Sequence, residues 1–389
     1  MAVLGATGSI GRSTLSVIRR HPDRFRAVVL TARRSADALD EAARSLEPDL
    51  VVLAEDPPEG FVPAWGGEWL HGPEALAEAV DREGVDVVVN GLVGVAGLEP
   101  TLRALRSGRR VALANKESLV AGGELVLEAR RAGGGEIVPV DSEHAAVHQC
   151  LAGRSREDVR RIILTASGGP FRETPRERLE EVEPEDALDH PTWDMGRKIT
   201  VDSATLANKA LEVVEAHHLF GLPYDRIEVV VHPQSVVHSL VEFADGSVLA
   251  QVGEPTMELP ILHALAHPET VADPSRPFDP VAAGPLTFEE PRREDFPLLG
   301  LGIEAGRAGG TAPATYNAAN EVAVEAFLEG RLDFTGIARV VEACLRALET
   351  RPVGAVADVW EADRAARERA RAEIGAAVRP GGPGIRPGG

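Results

Sequence analysis

Three glycines, Gly5, Gly8 and Gly11, separate the first apolar run of the chain from its first helical pattern. The apolar run is residues 1–4, and the helical pattern extends from about residue 13 to residue 20. A strand, a glycine turn and a helix in this order are the context of the dinucleotide-binding fingerprint, in which the backbone approaches a pyrophosphate at the helix N-terminus. The spacing differs from the commonest form of that fingerprint, so a generic strand-to-helix turn is the alternative.

Units of one strand and one helix repeat through the first 140 residues. Apolar runs and helical patterns predict strands at 27–31, 50–53, 85–89, 111–114 and 136–140, and helices at 36–45, 73–82, 99–106 and 118–131. This alternation predicts an α/β domain with a Rossmann-like, doubly wound parallel sheet over residues 1–140. The first run is shorter than the about five to six residues of a typical strand, which indicates either a marginal strand or a natural start upstream of Met1.

The second predicted strand is followed by Arg33, Arg34 and Ser35. In a Rossmann-like domain this position usually holds an acid that binds the ribose 2′-hydroxyl of NAD. Two arginines and a serine favour a 2′-phosphate instead, so the sequence predicts NADPH as the cofactor. Ordinary surface arginines on an exposed turn are the alternative interpretation.

Two carboxylates follow the strand predicted at 136–140. Asp141 and Glu143 lie two positions apart, so in extended backbone both side chains point to the same side, with the Ser142 hydroxyl between them. Hard oxygen ligands of this kind suit Mg²⁺ or Mn²⁺, although two ordinary surface acids would give the same pattern. Lys116 follows a neighbouring strand and can hold a substrate oxygen or phosphate, because ligands collect at these strand ends.

The next segment carries polar residues in a turn and in a loop. Ser167 precedes two glycines after a strand predicted at 161–164, and this turn predicts an anion-binding nest. Residues 173–186 predict an acidic surface helix. Residues 187–198 predict a lid, in which Trp193 and Met195 cover a ligand and exclude water; an ordinary loop is the alternative.

A helical pattern that starts near residue 201 carries a third polar group. Ser203 or Asp202 is predicted to cap this helix. Asn208 and Glu212 lie four positions apart and therefore share a face. Together with Ser203 and Lys209, Asn208 is suited to bind a phosphate, and Glu212 can supply a third carboxylate. An amphipathic helix with solvated polar residues is the alternative.

Apolar runs at 229–231, 239–243 and 247–252 predict strands, and the last two form a hairpin around Asp245 and Gly246. These strands make the middle domain α+β and antiparallel in character. His232 and His238 lie close to these strands and can reach the site, with a purely structural role as the alternative for each.

The last third of the chain is predicted to be helical after an irregular connector. Residues 255–295 are proline-rich and predict a connector on the surface, with one helix near 259–266. Helical patterns at 298–308, 315–328, 335–349 and 359–376 predict a small bundle. The Pro- and Gly-rich residues 379–389 predict a disordered tail.

Composition limits the partners. The chain of 389 residues has a net charge of −20, which argues against nucleic acid and anionic membranes as partners. Cys150 and Cys344 are the only cysteines, and their spacing suggests neither a metal site nor a disulfide framework. The sequence shows neither a transmembrane run nor a signal peptide, so we expect a cytoplasmic protein.

Taken in chain order, the motifs resemble those of the 1-deoxy-D-xylulose 5-phosphate reductoisomerase family of the non-mevalonate isoprenoid pathway. The matching segments are residues 5–11, 115–118, 140–144, 167–171, 190–198 and 201–209. The resemblance implies a V-shaped homodimer. It also implies an NADPH domain at 1–140, a catalytic domain at 141–254 with a flap at 187–198, a connector at 255–295 and a C-terminal helical domain at 296–378.

The resemblance further implies roles for single residues. The ligands of a divalent cation, which is Mg²⁺ or Mn²⁺ with Co²⁺ as a further candidate, are matched by Asp141, Glu143 and Glu212. Substrate contacts are matched by Lys116, Ser142, Ser167, His190, Trp193, Met195, Ser203, Asn208, Lys209 and Glu212. Nucleotide contacts are matched by Thr7, Gly8, Ser9, Ile10, Arg34, Ser35, Asn115, Glu117 and Gly196. His238 matches a histidine implicated in activity, and the catalytic group would comprise Lys116, His190, His238 and the three acids. The family often has glycine in place of Arg33 and asparagine in place of Ser35.

The implied reaction has two steps. The carbon skeleton of 1-deoxy-D-xylulose 5-phosphate rearranges to an aldehyde with the help of the cation, and NADPH then reduces the aldehyde to 2-C-methyl-D-erythritol 4-phosphate. Two other interpretations stay open. One is a metal-free NADP-dependent dehydrogenase of a phosphorylated aldehyde, and the other is a non-enzymatic NADP-binding sensor or scaffold.

Overall fold

A computed structural model describes residues 1–72, 74–193, 195–273 and 277–377. In these residues the strands form two sheets. The strands are β1 Ala2–Leu4, β2 Val29–Ala32, β3 Leu50–Leu53, β4 Glu68–His71, β5 Val87–Asn90, β6 Arg110–Leu113, β7 Glu136–Pro139, β8 Val159–Ala166, β9 Ile227–Val231, β10 Val237–Phe243 and β11 Val248–Val252. The predicted strands are all present, with ends that differ by a few residues.

The helices of the described residues follow the predicted pattern with a few additions. They are α1 Ser9–Arg20, α2 Ala36–Leu46, α3 Ala75–Asp81, α4 Leu98–Arg106, α5 Lys116–Gly133, α6 Ser142–Cys150, α7 Pro184–Leu188, α8 Arg197–Ala204, α9 Ala207–Phe220, α10 Glu258–Ala266, α11 Leu298–Ala308, α12 Ala312–Leu328, α13 Phe334–Ala347 and α14 Val356–Ala377. None of these helices is long and apolar enough to cross a membrane.

The first sheet is parallel throughout, in the order β4-β3-β2-β1-β5-β6-β7. The strand order reverses between β1 and β5, and in such sheets a ligand crevice forms there at the carboxyl ends of the strands. The predicted Rossmann-like fold is thus confirmed. The sequence does not predict β4, because Glu68 and His71 are exposed and only Trp69 and Leu70 between them are apolar.

The turn after β1 follows a path that larger side chains would block. Gly5 has a φ of +82°, a conformation that glycine adopts without strain. A Cβ atom on Gly11 would lie 2.2 Å from the Gly5 carbonyl oxygen. Gly8 is the N-cap of α1 and offers no side-chain cap, so this helix N-terminus is open to an anion. The helix begins at Ser9, ahead of its predicted start near residue 13.

The second sheet has the order β11-β10-β8-β9. The hairpin of β10 and β11 is confirmed, and β10 also pairs antiparallel with β8. Strands β8 and β9 are parallel, so the sheet is mixed, not wholly antiparallel. Helix α6 packs against β10 and β11, and α9 packs against β8 and β9.

The prediction of one helix at 173–186 is wrong. Arg176–Glu181 forms a 3₁₀ turn, and only Pro184–Leu188 is α-helical. Pro175 and Pro184 explain this break, because proline lacks an N–H donor and disfavours helical backbone in the preceding residue.

The segment predicted as a surface connector contributes to the core. Ile261 and Leu262 of α10 are buried in the same apolar cluster as Val3 and Leu15, so the prediction is wrong for the start of this segment. The helical C-terminal part is confirmed, with α12 packed against α13 and α14. The domain boundaries stay a prediction, and residue 378 and the predicted tail at 379–389 lie outside the described residues.

We expect Gly11→Ala to destabilise the protein by about 1–3 kcal/mol, because the added methyl group must displace backbone atoms. Urea or thermal unfolding measures this change in the free energy of unfolding. Gly300→Ala is the matched control, since Gly300 lies in α11 with open space around an added Cβ. We expect that control to be neutral or more stable by up to about 1 kcal/mol. Equal stability of Gly11→Ala and the wild type would contradict the close packing of Gly11 against the backbone of Gly5.

Candidate active site

A cavity of about 410 Å³ lies where the carboxyl ends of β1, β6 and β7 face the second sheet. The predicted site residues that line it are Ser9, Ile10, Lys116, Asp141, Ser142, Glu143, Ser167, His190, Trp193, Met195, Gly196, Ser203, Asn208, Lys209, Glu212 and His238. Those that do not line it are Thr7, Gly8, Arg33, Arg34, Ser35, Asn115 and Glu117. Residues far apart in the chain are therefore brought to one place.

Three carboxylates meet on one side of the cavity. Asp141, Glu143 and Glu212 each place an oxygen within 4.8 Å of the others. Asp141 is the N-cap of α6 and Glu143 lies in its first turn, so the prediction that both acids project from extended backbone is wrong. A helix start brings them together instead. Glu212 reaches them from α9, where its side chain is buried.

Lys116 lies among these carboxylates. Its Nζ donates to Asp141 Oδ2 at 2.7 Å, to Asn208 Oδ1 at 2.8 Å and to Glu212 Oε1 at 3.2 Å. Burial alone would lower the pKa of Lys116, but the charges of Asp141 and Glu212 hold that pKa well above its ordinary value. Because Nζ stays protonated, Lys116 can position and polarise an oxygen but cannot act as a nucleophile.

A second lysine faces the same acids. Lys209 Nζ lies 3.3 Å from Glu143 and forms an ion pair with Glu212. Burial raises the pKa of Glu143 to about 7; Lys209 opposes this rise, and the charges of Glu212 and Asp141 add to it. Two lysines thus face three acids. The carboxylate oxygens fit Mg²⁺ or Mn²⁺, and a bound cation would favour the ionised form of Glu143.

A buried pair behind Asp141 is not predicted from the sequence. His144 Nδ1 lies 3.2 Å from Glu215 and 3.3 Å from Asp141 Oδ1, and Nε2 lies 2.9 Å from the Glu212 carbonyl oxygen. Burial alone would lower the pKa of His144, but the charges of Glu215 and Asp141 hold it well above its ordinary value. The imidazolium donates from Nε2 to the Glu212 carbonyl oxygen of α9, and its Nδ1 side forms ion pairs with Asp141 and Glu215. The sequence signal for this pair is weak: His144 lies three positions after Asp141, and Glu215 lies three positions after Glu212, so each shares a helix face with a predicted metal ligand.

A second polar group comprises Ser167, His190 and Ser203. His190 Nε2 lies 3.0 Å from Ser167 Oγ and 3.2 Å from Ser203 Oγ. The backbone N–H groups of Thr192 and Trp193 donate to His190 Nδ1, so Nδ1 accepts and the neutral ring carries its proton on Nε2. Burial lowers the pKa of His190, which favours this neutral form. The ring therefore offers an N–H donor beside two hydroxyls, a set suited to a phosphate.

The backbone around these serines is unusual. Gly169, with a φ of +65°, lies so close to α8 that an added Cβ would be 2.8 Å from Ala204 Cα. This approach places Ser167 beside Ser203. Ser203 lies inside α8 and caps no helix, because α9 starts only after Leu206, whose φ is +61°. The prediction that Ser203 or Asp202 caps the helix is therefore wrong.

Apolar side chains of the predicted lid lie over the polar groups. Trp193 and Met195 are half-buried and line the cavity. The Trp193 ring centroid lies 6.4 Å from that of His238. Burial lowers the pKa of His238 to about 4, so this ring is neutral at pH 7. Movement of the segment 187–198 as a flap stays a prediction.

Residues predicted to contact the nucleotide fall into two groups. Ser9 and Ile10, at the start of α1, line the cavity after the exposed Gly8. Asn115 is buried instead, and its Nδ2 donates to the carbonyl oxygens of Leu92 and Gly94 and to Glu117. Asn115 thus ties together the segments that follow β5 and β6. Direct nucleotide contacts of Asn115 and Glu117 stay a prediction, as does that of Gly196, the exposed N-cap of α8.

The two arginines predicted to bind a 2′-phosphate share one acidic partner. Arg33 Nε donates to Glu55 Oε1 at 2.6 Å, and Arg34 pairs with the other Glu55 oxygen. Arg33, Arg34 and Ser35 are all exposed at the carboxyl end of β2. The cluster is open to a ligand, and Glu55 holds the arginines together there.

Some lining residues have no signal in the sequence. Pro255, Thr256 and Met257 precede α10 and line the cavity. They belong to the proline-rich segment predicted as a surface connector, and no charge or motif marks them.

The fold and the site define a class. A doubly wound sheet with an open glycine turn at its switch point binds dinucleotides, and the cavity beside it gathers buried acids, lysines and hydroxyls; the protein is a dinucleotide-dependent oxidoreductase. More narrowly, the chain belongs to the 1-deoxy-D-xylulose 5-phosphate reductoisomerase family. The family model of that description matches residues 1–123, and two C-terminal domain models of the same enzyme match residues 137–220 and 252–369.

Relatives and solved structures agree with this assignment. The chain is 50% identical over 385 residues to the 1-deoxy-D-xylulose 5-phosphate reductoisomerase of Ralstonia nicotianae, covering 97% of this chain and 98% of the relative. It is 49% identical to that of Gloeobacter violaceus over 377 residues, which is 95% of this chain and 96% of the relative. The Zymomonas mobilis enzyme in complex with NADPH superposes with a TM-score of 0.89 at 44% identity, covering 96% of this chain and 98% of that one. A reductoisomerase in complex with NADPH, fosmidomycin and magnesium superposes with a TM-score of 0.89 at 40% identity over the same shares.

We expect the double variant Arg33→Ala/Arg34→Ala to raise the KM for NADPH by roughly 10–100-fold, because hydrogen bonds to charged groups are worth about 1.5–3 kcal/mol. The KM for NADH, which lacks the 2′-phosphate, should stay unchanged. Steady-state kinetics with both cofactors measures the difference. Arg44→Ala is the control, since Arg44 is an exposed arginine of α2 paired with Asp40. An equal loss for both cofactors would contradict a role in 2′-phosphate binding.

Proposed function

We infer that this chain catalyses the NADPH- and divalent-cation-dependent rearrangement and reduction of 1-deoxy-D-xylulose 5-phosphate to 2-C-methyl-D-erythritol 4-phosphate. The observation that carries this inference is the meeting of Asp141, Glu143 and Glu212 in a cavity that Ser9 and Ile10, at the start of α1, also line. Family membership supports it, as do solved relatives in complex with NADPH and with magnesium.

Asp141, Glu143 and Glu212 would hold the divalent cation. When bound, the cation supplies Lewis-acid stabilisation of negative charge on the substrate oxygens. Lys116 Nζ, which already contacts two of these carboxylates, donates to a substrate oxygen in the same place, and the Ser142 hydroxyl adds a further donor. His144 is a positioning residue, because it holds Asp141 through its Nδ1.

Ser167, Ser203, His190, Asn208 and Lys209 would bind the substrate phosphate. His190 presents its Nε2 proton beside the two serine hydroxyls, and Lys209 adds positive charge. Binding energy from this non-reacting end positions the reacting carbons near the acids. Both polar groups line the same cavity, so one substrate can contact them together.

The lid and the glycine turn complete the assignment. Trp193 and Met195 exclude water from the bound substrate, which protects an aldehyde held between two steps. Thr7, Gly8, Ser9 and Ile10 would bind the pyrophosphate at the start of α1, and NADPH supplies the hydride. We further propose, from the family resemblance, that the chain acts as a homodimer in the cytoplasm.

We expect Glu212→Gln to lower kcat by about 10³-fold or more, because metal-ion charge stabilisation is worth several kcal/mol. NADPH binding, measured by fluorescence titration, should survive. Glu304→Gln, at an exposed acid of α11, should behave as wild type. Full turnover of Glu212→Gln at saturating Mn²⁺ would remove Glu212 from the metal site, and activity of the wild type in excess EDTA would instead indicate a metal-free dehydrogenase.

We expect Ser203→Ala to lower kcat/KM for the phosphorylated substrate by roughly 10–100-fold, since a hydrogen bond to a charged group contributes about 1.5–3 kcal/mol. Inorganic phosphate should also inhibit this variant less strongly than the wild type. Ser107→Ala, at an exposed serine after α4, is the control. If Ser203→Ala keeps its phosphate inhibition constant, Ser203 does not bind the phosphate.

A further inference from the structure

Three histidines form a cluster outside the cavity. His148 lies near the end of α6, His263 lies in α10, and His267 follows α10 directly. One ring nitrogen of each lies within 4.8 Å of the other two. His148 Nδ1 is 3.0 Å from His263 Nε2, and the ring centroids lie 4.8 to 5.6 Å apart. The proposed reaction uses none of these residues.

We propose that His148, His263 and His267 form a second metal site, which takes a borderline transition cation such as Zn²⁺ in preference to Mg²⁺. Neutral imidazole nitrogens suit Zn²⁺, Ni²⁺ and Cu²⁺, whereas Mg²⁺ prefers oxygen ligands. Two nitrogens bound to one tetrahedral zinc at about 2.0–2.1 Å lie about 3.3–3.4 Å apart. The contact of 3.0 Å between His148 and His263 needs to open by a few tenths of an ångström, and the separations from His267, which are at most 4.8 Å, need to close toward the same value.

The ionisation of the cluster suits a metal. Burial lowers the pKa of His148 and of His263 to about 4, so both rings are neutral at pH 7, which is the form that binds a cation. The Glu136 carboxylate lies 3.4 Å from His267 Nε2 and brings negative charge to the cluster.

Two arginines oppose a bound cation. The charge of Arg110 lowers the pKa of His263, and that of Arg156 lowers the pKa of His148. Arg110 donates to Glu136 Oε2 at 2.6 Å, so its charge is balanced within the cluster. Arg156 is exposed, so water and salt screen its charge.

A metal at this place would join two elements that build the active site. Helix α6 has Asp141 as its N-cap and Glu143 in its first turn, and it carries His148 in its last turn. Helix α10 packs against α6 and α1, and residues just before it line the cavity. A cation bound by both helices would stabilise their packing, and its role is structural.

The test uses the full chain, stripped of metal and dialysed against Zn²⁺ in the presence of millimolar Mg²⁺. We expect one equivalent of zinc that persists in Glu212→Gln, which lacks a ligand of the proposed catalytic site. In His148→Gln and His263→Gln the affinity for this zinc should fall by more than the about 10–100-fold that loss of an outer-shell partner costs. His71→Ala is the control, because His71 is exposed on β4, at the opposite edge of the sheet from β7.

Co²⁺ provides a spectroscopic readout that separates the two sites. A four-coordinate histidine site absorbs visible light strongly, whereas a six-coordinate oxygen site absorbs weakly. A strong band in the wild type and Glu212→Gln that is absent in His263→Gln supports the proposal. Zinc retained by both histidine variants, or lost only in Glu212→Gln, overturns it.

Circular dichroism shows whether the histidine variants fold. If they do not fold, the wild-type protein is tested instead: its histidines are modified with diethyl pyrocarbonate, and peptide mass analysis identifies the modified residues. Protection of His148, His263 and His267 by Zn²⁺ supports the proposal, and equal modification with and without Zn²⁺ overturns it.

Discussion

Opposite charges buried at one point connect the two sheets of this protein. Lys116 enters from the end of β6, Asp141 from the end of β7, and Glu212 from α9 beside the second sheet. Removing such charges from water costs several kcal/mol each, and the cost is offset only when partners and hydrogen bonds are complete. The cluster therefore constrains α5, α6 and α9 to one relative arrangement. The same cluster places three carboxylate groups where a divalent cation can bind them.

Local sequence patterns account for most of the first sheet. Apolar runs such as Leu50–Leu53 are strands because both faces of a parallel sheet are buried, and that property can be recognised in a short window. Strand β4 escapes recognition, because an edge strand with polar ends has no such pattern. Helix α10 is recognised as a helix but not as part of the core, since its partners Val3 and Leu15 are more than 200 positions away in the chain.

The site is predictable where its residues carry charge and occur in motifs. Lys116, Asp141 and Glu212 are identified from the sequence, yet the argument for Asp141 and Glu143 assumes the wrong backbone, because a helix cap and a strand end look alike in the sequence. The pair His144 and Glu215 is missed, since its function depends on burial. Met257 is missed because nothing in the sequence distinguishes an apolar residue that lines a cavity from an apolar residue of the core.

The pairing of Glu55 with two arginines has a consequence for binding in salt. Free arginines attract mobile anions, and a phosphate that displaces those anions binds more weakly as salt rises. If a cofactor phosphate binds to Arg33 and Arg34 as predicted, the anion that it displaces is Glu55, which is tethered to the protein and keeps the same local concentration in any buffer. Cofactor affinity should therefore respond less to ionic strength than two exposed arginines would otherwise dictate. A carboxylate of the protein in this place therefore reduces the dependence of cofactor binding on the salt concentration.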